Sequence, residues 1–198
     1  MTVITFTGLP GAGKTSLAER LGKRTGFPVF AGDWLLGALK PHGVLDGLSR
    51  PAFLAMYYDL LETLVKRQLM FGQSAIVDAL INDEVAERWQ LMAARFETRL
   101  FVVECVCTDE AEHRRRVEGR VRGIPGWHEV SWDHVQRMRA EYPPLTHEQA
   151  DCGRDGSGRG EPGFDQEVHR GWVRANEPVM CSRASASGCS RSAQCDRR

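Results

Sequence analysis

Apolar positions come in two alternating rhythms along this chain. Val3, Ile4 and Phe6 form a short run with the β-branched and aromatic character of a buried strand, and Leu17, Ala18 and Leu21 then recur at helical spacing. Gly26 and Pro28 interrupt that pattern. Residues 28–33, Pro-Val-Phe-Ala-Gly-Asp, read as a second short strand closing on Asp33, and the stretch through Pro41 and Gly47 reads as a helical turn and loop. Pro51 fits a first helical position. From there Phe53, Met56, Tyr57, Leu60, Leu61 and Leu64 line one face of a long helix that ends near Gly72. Ala75-Ile76-Val77-Asp78 is a third strand ending on an aspartate. Val85, Trp89, Met92 and Phe96 mark the next helix, and Leu100 to Val106 form a fourth apolar run. Strands alternating with helices predict an α/β fold, a parallel sheet of four to five strands covered by helices on both faces.

The rest of the chain is more polar. A helix is expected over residues 109–122, carrying Arg114, Arg115, Arg116, Arg120 and Arg122, and Gly123-Ile124-Pro125-Gly126 breaks it as the hinge of a lid would. Trp127, Trp132, Val135 and Met138 suggest one more helix before Pro143-Pro144. The two tryptophans either pack that lid or stack on a planar acceptor. Residues 151–198 hold no leucine or isoleucine, but eight arginines, seven glycines and four of the six cysteines. Residues 1–150 are therefore expected to form one domain. Residues 151–198 read as a tail, either disordered or produced by a change of reading frame near residue 150.

Charge excludes some classes of partner. Lys plus Arg equals Asp plus Glu at 26 each, so no global field draws the chain to duplex nucleic acid or an anionic membrane. No apolar run of about eighteen residues is present, and the expected location is the cytoplasm. The cysteines include no C-x-x-C pair, and the six histidines show no ligand spacing, so neither zinc nor a disulfide framework is favoured. Oligomeric state is not encoded in any pattern here.

The chemistry is concentrated where the first strand meets the first helix. Gly8-Leu9-Pro10-Gly11-Ala12-Gly13-Lys14-Thr15 fits the phosphate-binding pattern G-x-x-x-x-G-K-[ST] at every fixed position, with Ser16 following. A chance match in a chain this long has a probability of roughly one per cent or less. In such a loop the backbone N–H groups converge on an anion, Lys14 neutralises the outer phosphates, and Thr15 offers its hydroxyl to Mg²⁺. The dinucleotide pattern G-x-G-x-x-G fails, because Ser16 stands at the third glycine position. The expected ligand is a nucleoside triphosphate, ATP with Mg²⁺.

Asp78 is the candidate second metal residue, or else a helix cap. Asp83-Glu84 is the lower-ranked rival. Asp33 is the candidate base for an acceptor hydroxyl, or a cap for a helix starting at Trp34. Arg116 and Arg120, one turn apart, are the candidates for stabilising a migrating phosphoryl group, or are solvated charges on a helix face. No N-K-x-D guanine-reading sequence is present.

With the loop, Asp33, the Ile-Val-Asp78 strand end and Cys105-x-Cys107-x-Asp109 followed by Arg114-x-Arg116 and Arg120 in view, the chain resembles a known group. It is similar to the AAA-type P-loop kinases that include polynucleotide 5′-kinases, chloramphenicol phosphotransferase, gluconate kinase and zeta toxins. The resemblance covers residues 1 to about 145. It implies a P-loop NTPase fold with a five-stranded sheet, ATP and Mg²⁺, an acceptor hydroxyl near Asp33, and an arginine-bearing lid between residues 113 and 127. One departure matters. Several members place an arginine three residues after the second-strand aspartate, and here that position is Leu36, which weakens a polynucleotide 5′-hydroxyl acceptor. The expectation is a kinase acting on an alcohol group of an unidentified small molecule. The alternatives are a nucleotide-binding regulator or ATPase without an acceptor, and a damaged product retaining only its ATP site.

Overall fold

A computed structural model describes residues 1–146 of the chain. Four parallel strands make one sheet: β1 (Thr2–Thr7), β2 (Val29–Ala31), β3 (Ala75–Asp78) and β4 (Arg99–Glu104), in the order β2-β3-β1-β4. Parallel neighbours require crossovers, and helices supply them: α1 (Lys14–Thr25), α2 (Gly32–Leu39), α3 (Arg50–Met70) and α4 (Asp83–Ala94). Helices α5 (Glu110–Glu118) and α6 (Trp132–Glu141) follow the sheet. A fifth strand and the reading of residues 151–198 lie outside the described residues.

The central strand β1 is buried along its whole length, so both of its faces must be covered. Alternation decides which residue meets which helix layer. Val3 packs with Ala75 and Val77 of β3 against Tyr58, Leu61 and Val65 of α3 and Trp89 of α4. Ile4 and Phe6 point the other way, with Ile76, onto Ala18, Leu17 and Leu21 of α1.

Local signals place the helix ends. Gly26 closes α1 at φ 74°, donating its N–H to Gly22 at 2.8 Å. Ser49 caps α3 ahead of Pro51, and Asn82 caps α4 by accepting the Val85 N–H at 3.0 Å. Across the α3–α4 seam, Arg88 reaches Glu62 and Asp59, each at 2.5 Å.

Two expected elements differ from those found. The second strand stops at Ala31, and α2 begins at once at Gly32, so Asp33 occupies a first helical turn and not a strand end. The cap position of that helix is Ala31, which also removes the capping role considered for Asp33. Helix α5 runs from Glu110 to Glu118 and not to residue 122; the Gly119 N–H donates its last bond, to the Arg115 carbonyl, and Arg122 turns away to other partners. Arg120 therefore does not share a helical face with Arg116.

Trp89 is the largest fully buried side chain among the described residues, 1% exposed in the α3–α4 layer. Trp89→Ala is expected to lower unfolding free energy by about 3–5 kcal/mol, measured by urea denaturation. A loss under about 1 kcal/mol would contradict its central place in the core.

Candidate functional site

The register of the sheet brings the phosphate-loop sequence and the candidate metal carboxylate together. Phe6 of β1 lies opposite Asp78 of β3, so the chain leaving β1 and the end of β3 emerge side by side on one edge. Crossing that edge, Thr7 fixes the start of the loop by accepting the Ile81 N–H on its hydroxyl at 3.0 Å and the Cys105 N–H on its carbonyl at 2.8 Å.

The loop runs from Gly8 to Thr15, with Ser16 already inside α1. Only glycine fits its first position: Gly8 has φ 133°, and a Cβ there would stand 2.2 Å from the Cys105 carbonyl oxygen. Leu9 accepts the Ala12 N–H at 3.1 Å, curling Pro10, Gly11 and Ala12 into a tight arch. Gly13, at φ 101°, is the N-cap of α1 and has no side chain to satisfy the first helical N–H groups. Those donors and the positive helix end face an anion arriving at the loop.

Asp78 is 6% exposed, and its Oδ1 has no hydrogen-bond partner among the described residues. Burial pushes its carboxyl up, while the Lys14 ammonium and a hydrogen bond from the Thr15 hydroxyl pull it back. Lys14, Thr15 and Asp78 thus act on one another at a single point. Asp78 caps no helix, since α4 starts at Asp83 behind Asn82; Asp83 accepts the N–H of Thr146 at 3.1 Å.

Asp33 lines the same cleft as Lys14 and Asp78, a cavity of about 260 Å³. Its carboxylate is held by Arg122 in a short ion pair. Arg122 also donates to the His128 carbonyl at 3.1 Å, and its own N–H reaches Glu129 at 2.8 Å, so it ties residues 119–131 to the start of α2. The sequence names Arg122 only as one of five arginines. Nothing in its spacing separates it from the others, because its partner lies 89 residues away.

The two chosen arginines have different surroundings. Arg116 is tied to Glu112 at 2.7 Å, and Glu112, held by Arg115 and then Arg116, is pulled down to about 2. Arg120 is half-buried, and its Nε and Nη2 have no hydrogen-bond partner among the described residues. Burial and the neighbouring Arg122 pull it below the usual arginine range, with Glu129, Asp33 and Asp78 acting in the other direction. It keeps its charge near neutral pH.

One residue in contact with the loop carried no signal in the sequence. His113 of α5 is 2% exposed and packs edge-on against Trp132 at 5.2 Å. Its Nε2–H donates to the Pro10 carbonyl at 2.8 Å, and its Nδ1 lies 3.4 Å from Arg139, which fixes the neutral Nε2–H tautomer. A Cβ on Gly11 would meet Val117 of the same helix at 2.6 Å, so α5 is seated directly on the loop.

Burial holds His113 below the ordinary histidine value of 6.5, and Arg139, Arg116 and Arg120 add to that. The unfolded chain therefore takes up this proton at higher pH than the folded one. The stability contributed by neutral His113 is full above about 6.5 and is lost as pH falls through the lower folded-state value. His113→Gln is expected to flatten the pH dependence of unfolding free energy below pH 6.5; parallel curves for the two proteins would contradict this.

Comparison with known proteins places the fold. The chain matches the AAA domain family over residues 3–145, and no curated protein matches it. A provisionally assigned kinase from Chloroflexus aurantiacus superposes with a TM-score of 0.57 at 21% identity, covering 88% of this chain and 97% of that one. A sugar kinase from a Janibacter species gives 0.55 at 15% identity, covering 75% and 82%. A gluconokinase from Sinorhizobium meliloti gives 0.51 at 17% identity, covering 71% and 74%. No helix among the described residues is long and apolar enough to cross a membrane. With its strand order, its loop and the family match over residues 3–145, the chain belongs to the AAA domain family.

Proposed function

We propose that the protein transfers the γ-phosphoryl group of ATP to a hydroxyl of a small molecule. The observation that carries this reading is the convergence of Lys14, Thr15 and a buried, half-satisfied Asp78 at the mouth of a cleft that also contains Asp33. A switch that only binds and hydrolyses nucleotide has no need of a cleft that continues beyond its phosphate site. Here the cleft beside Lys14 and Asp78 continues past Asp33 to Phe53, Trp127 and Tyr142.

Each residue has a part. The loop amides from Leu9 to Ser16 and the Lys14 ammonium hold the polyphosphate. Thr15 and Asp78 form a hydroxyl and carboxylate pair suited to Mg²⁺, and the orphaned Asp78 Oδ1 is the atom such an ion would satisfy. Bound there, Mg²⁺ would supply neutralisation of the charge on the phosphates. Arg120, beside Arg122 and within electrostatic reach of Asp33 and Asp78, has two donors without a partner among the described residues and is suited to the charge that develops on the transferring group. Asp33 accepts the proton of the acceptor hydroxyl, and Arg122 holds its carboxylate in position. Arg116, engaged by Glu112, has the weaker claim of the two arginines first considered.

Asp33→Asn keeps the shape of the side chain and removes the proton acceptor. It is expected to slow transfer of label from γ-labelled ATP to acceptor by roughly a hundredfold or more, with little change in ATP binding. Equal transfer rates would remove Asp33 from the mechanism. Release of free phosphate alone, with a wide metabolite panel present, would favour the regulator over the kinase.

A further inference from the structure

The cavity beside Asp33 is lined by both charged groups and rings. Lys14, Asp33 and Asp78 are among its charged members, with His128 and His134 as further polar ones. Helix α3 lines one wall with Phe53, Tyr57 and Tyr58, the Phe53 and Tyr57 rings lying parallel within 3° at 6.3 Å. Trp127, Met138 and Tyr142 face the same space. Trp127 is held in place by the Lys40 ammonium 5.4 Å from its ring and by His128 at 4.6 Å.

Two polar tips of this wall, those of Tyr58 and Arg50, are engaged elsewhere. Tyr58 donates its hydroxyl to the Leu80 carbonyl at 3.0 Å. The Tyr57 hydroxyl is packed against the backbone of Gly32, where a Cβ would lie 1.9 Å from it. Arg50 is paired with Glu141 at 2.8 Å. Leu36, one turn beyond Asp33 and 4% exposed, adds an apolar side chain next to the carboxylate. A polyol carries a hydroxyl on nearly every carbon, and each one left unpaired on entering such a wall costs roughly tenfold in affinity. An aromatic ring meets ring faces and loses no hydrogen bond.

We propose that the acceptor is a compact aromatic alcohol, its ring lodged between the α3 aromatics and Trp127 and its hydroxyl presented to Asp33. This rests on the kinase reading above. The volume of about 260 Å³, which includes the space beside Lys14 and Asp78, leaves room for no more than a single ring with a short hydroxylated arm. In the transfer, the alcohol oxygen bonds to the γ-phosphorus and the bond from that phosphorus to the β,γ-bridging oxygen breaks. ADP leaves with that electron pair, and the hydroxyl proton passes to the Asp33 carboxylate. No other reactant is required.

The test uses the full chain with Mg²⁺. Phenylethanol, tyrosol and phenylpropanediol are compared with gluconate, glucose and glycerol, first by calorimetric titration in the presence of a non-hydrolysable ATP analogue and then by transfer from γ-labelled ATP. The aromatic alcohols are expected to bind at least roughly tenfold more tightly than the polyols and to become labelled. Trp127→Ala and Phe53→Ala should each weaken that binding by roughly tenfold with the ATP titration unchanged, and Trp127→Phe should restore most of it. Preference for the polyols, or no saturable binding of any aromatic member, overturns the proposal; labelled polyol would do so while leaving the kinase reading intact. Saturable aromatic binding without any transfer supports this pocket chemistry and counts against the kinase reading instead.

Discussion

A carboxylate buried at the end of a parallel strand has to be compensated, and that requirement joins the fold to the site. Asp78 sits at the tip of β3 with one oxygen unpaired among the described residues, and the Lys14 ammonium and Thr15 hydroxyl are what oppose its desolvation. The pairing of Phe6 with Asp78 makes this possible, because it delivers the end of β1, and the loop that follows it, to the same edge as the end of β3. A register slip would turn every side chain of the strand to the opposite face and separate the two. The sheet is thus held to one alignment both by its core and by the charges at its carboxyl edge.

A second layer of contacts seats the residues after the sheet onto that edge. His113 and Val117 of α5 pack on the loop at Pro10 and Gly11, and Trp132 of α6 packs on His113. Arg122 then joins the segment after α5 to Asp33 at the start of α2. The cleft itself is lined by groups drawn from five stretches of the chain, around Lys14, Asp33, Tyr57, Asp78 and Trp127. Its lining joins the charged Lys14, Asp33 and Asp78 to the rings of Phe53, Tyr57, Tyr58 and Trp127.

How much of this could be read in advance depends on the range of the interaction involved. The loop was legible because its fixed positions are adjacent and each has a backbone or charge reason, and the four strands were legible because short apolar runs bounded by glycine and proline have few other uses. Asp33 was found as a residue but assigned to the wrong element, since a strand of three residues followed at once by a helix leaves no turn signal between them. Arg122 could not be singled out from its neighbours, because the feature that distinguishes it is a partner far away in sequence. The aromatic wall was hidden for a related reason: Phe53 and Tyr57 fall on the apolar face of α3, and periodicity gives the same pattern for a residue facing the core and one facing a cavity. His113 gave no signal at all, as a lone histidine on a charged helix reads as solvated.

The claim on which the rest turns is that the loop from Gly8 to Thr15 binds a polyphosphate through Lys14 and its backbone amides. Calorimetric titration of the protein and of Lys14→Ala with ATP in magnesium tests it directly. The account predicts saturable one-to-one binding that is lost or weakened by roughly a hundredfold or more in the variant. Absence of binding in the unaltered protein, or the same affinity in both, would contradict it.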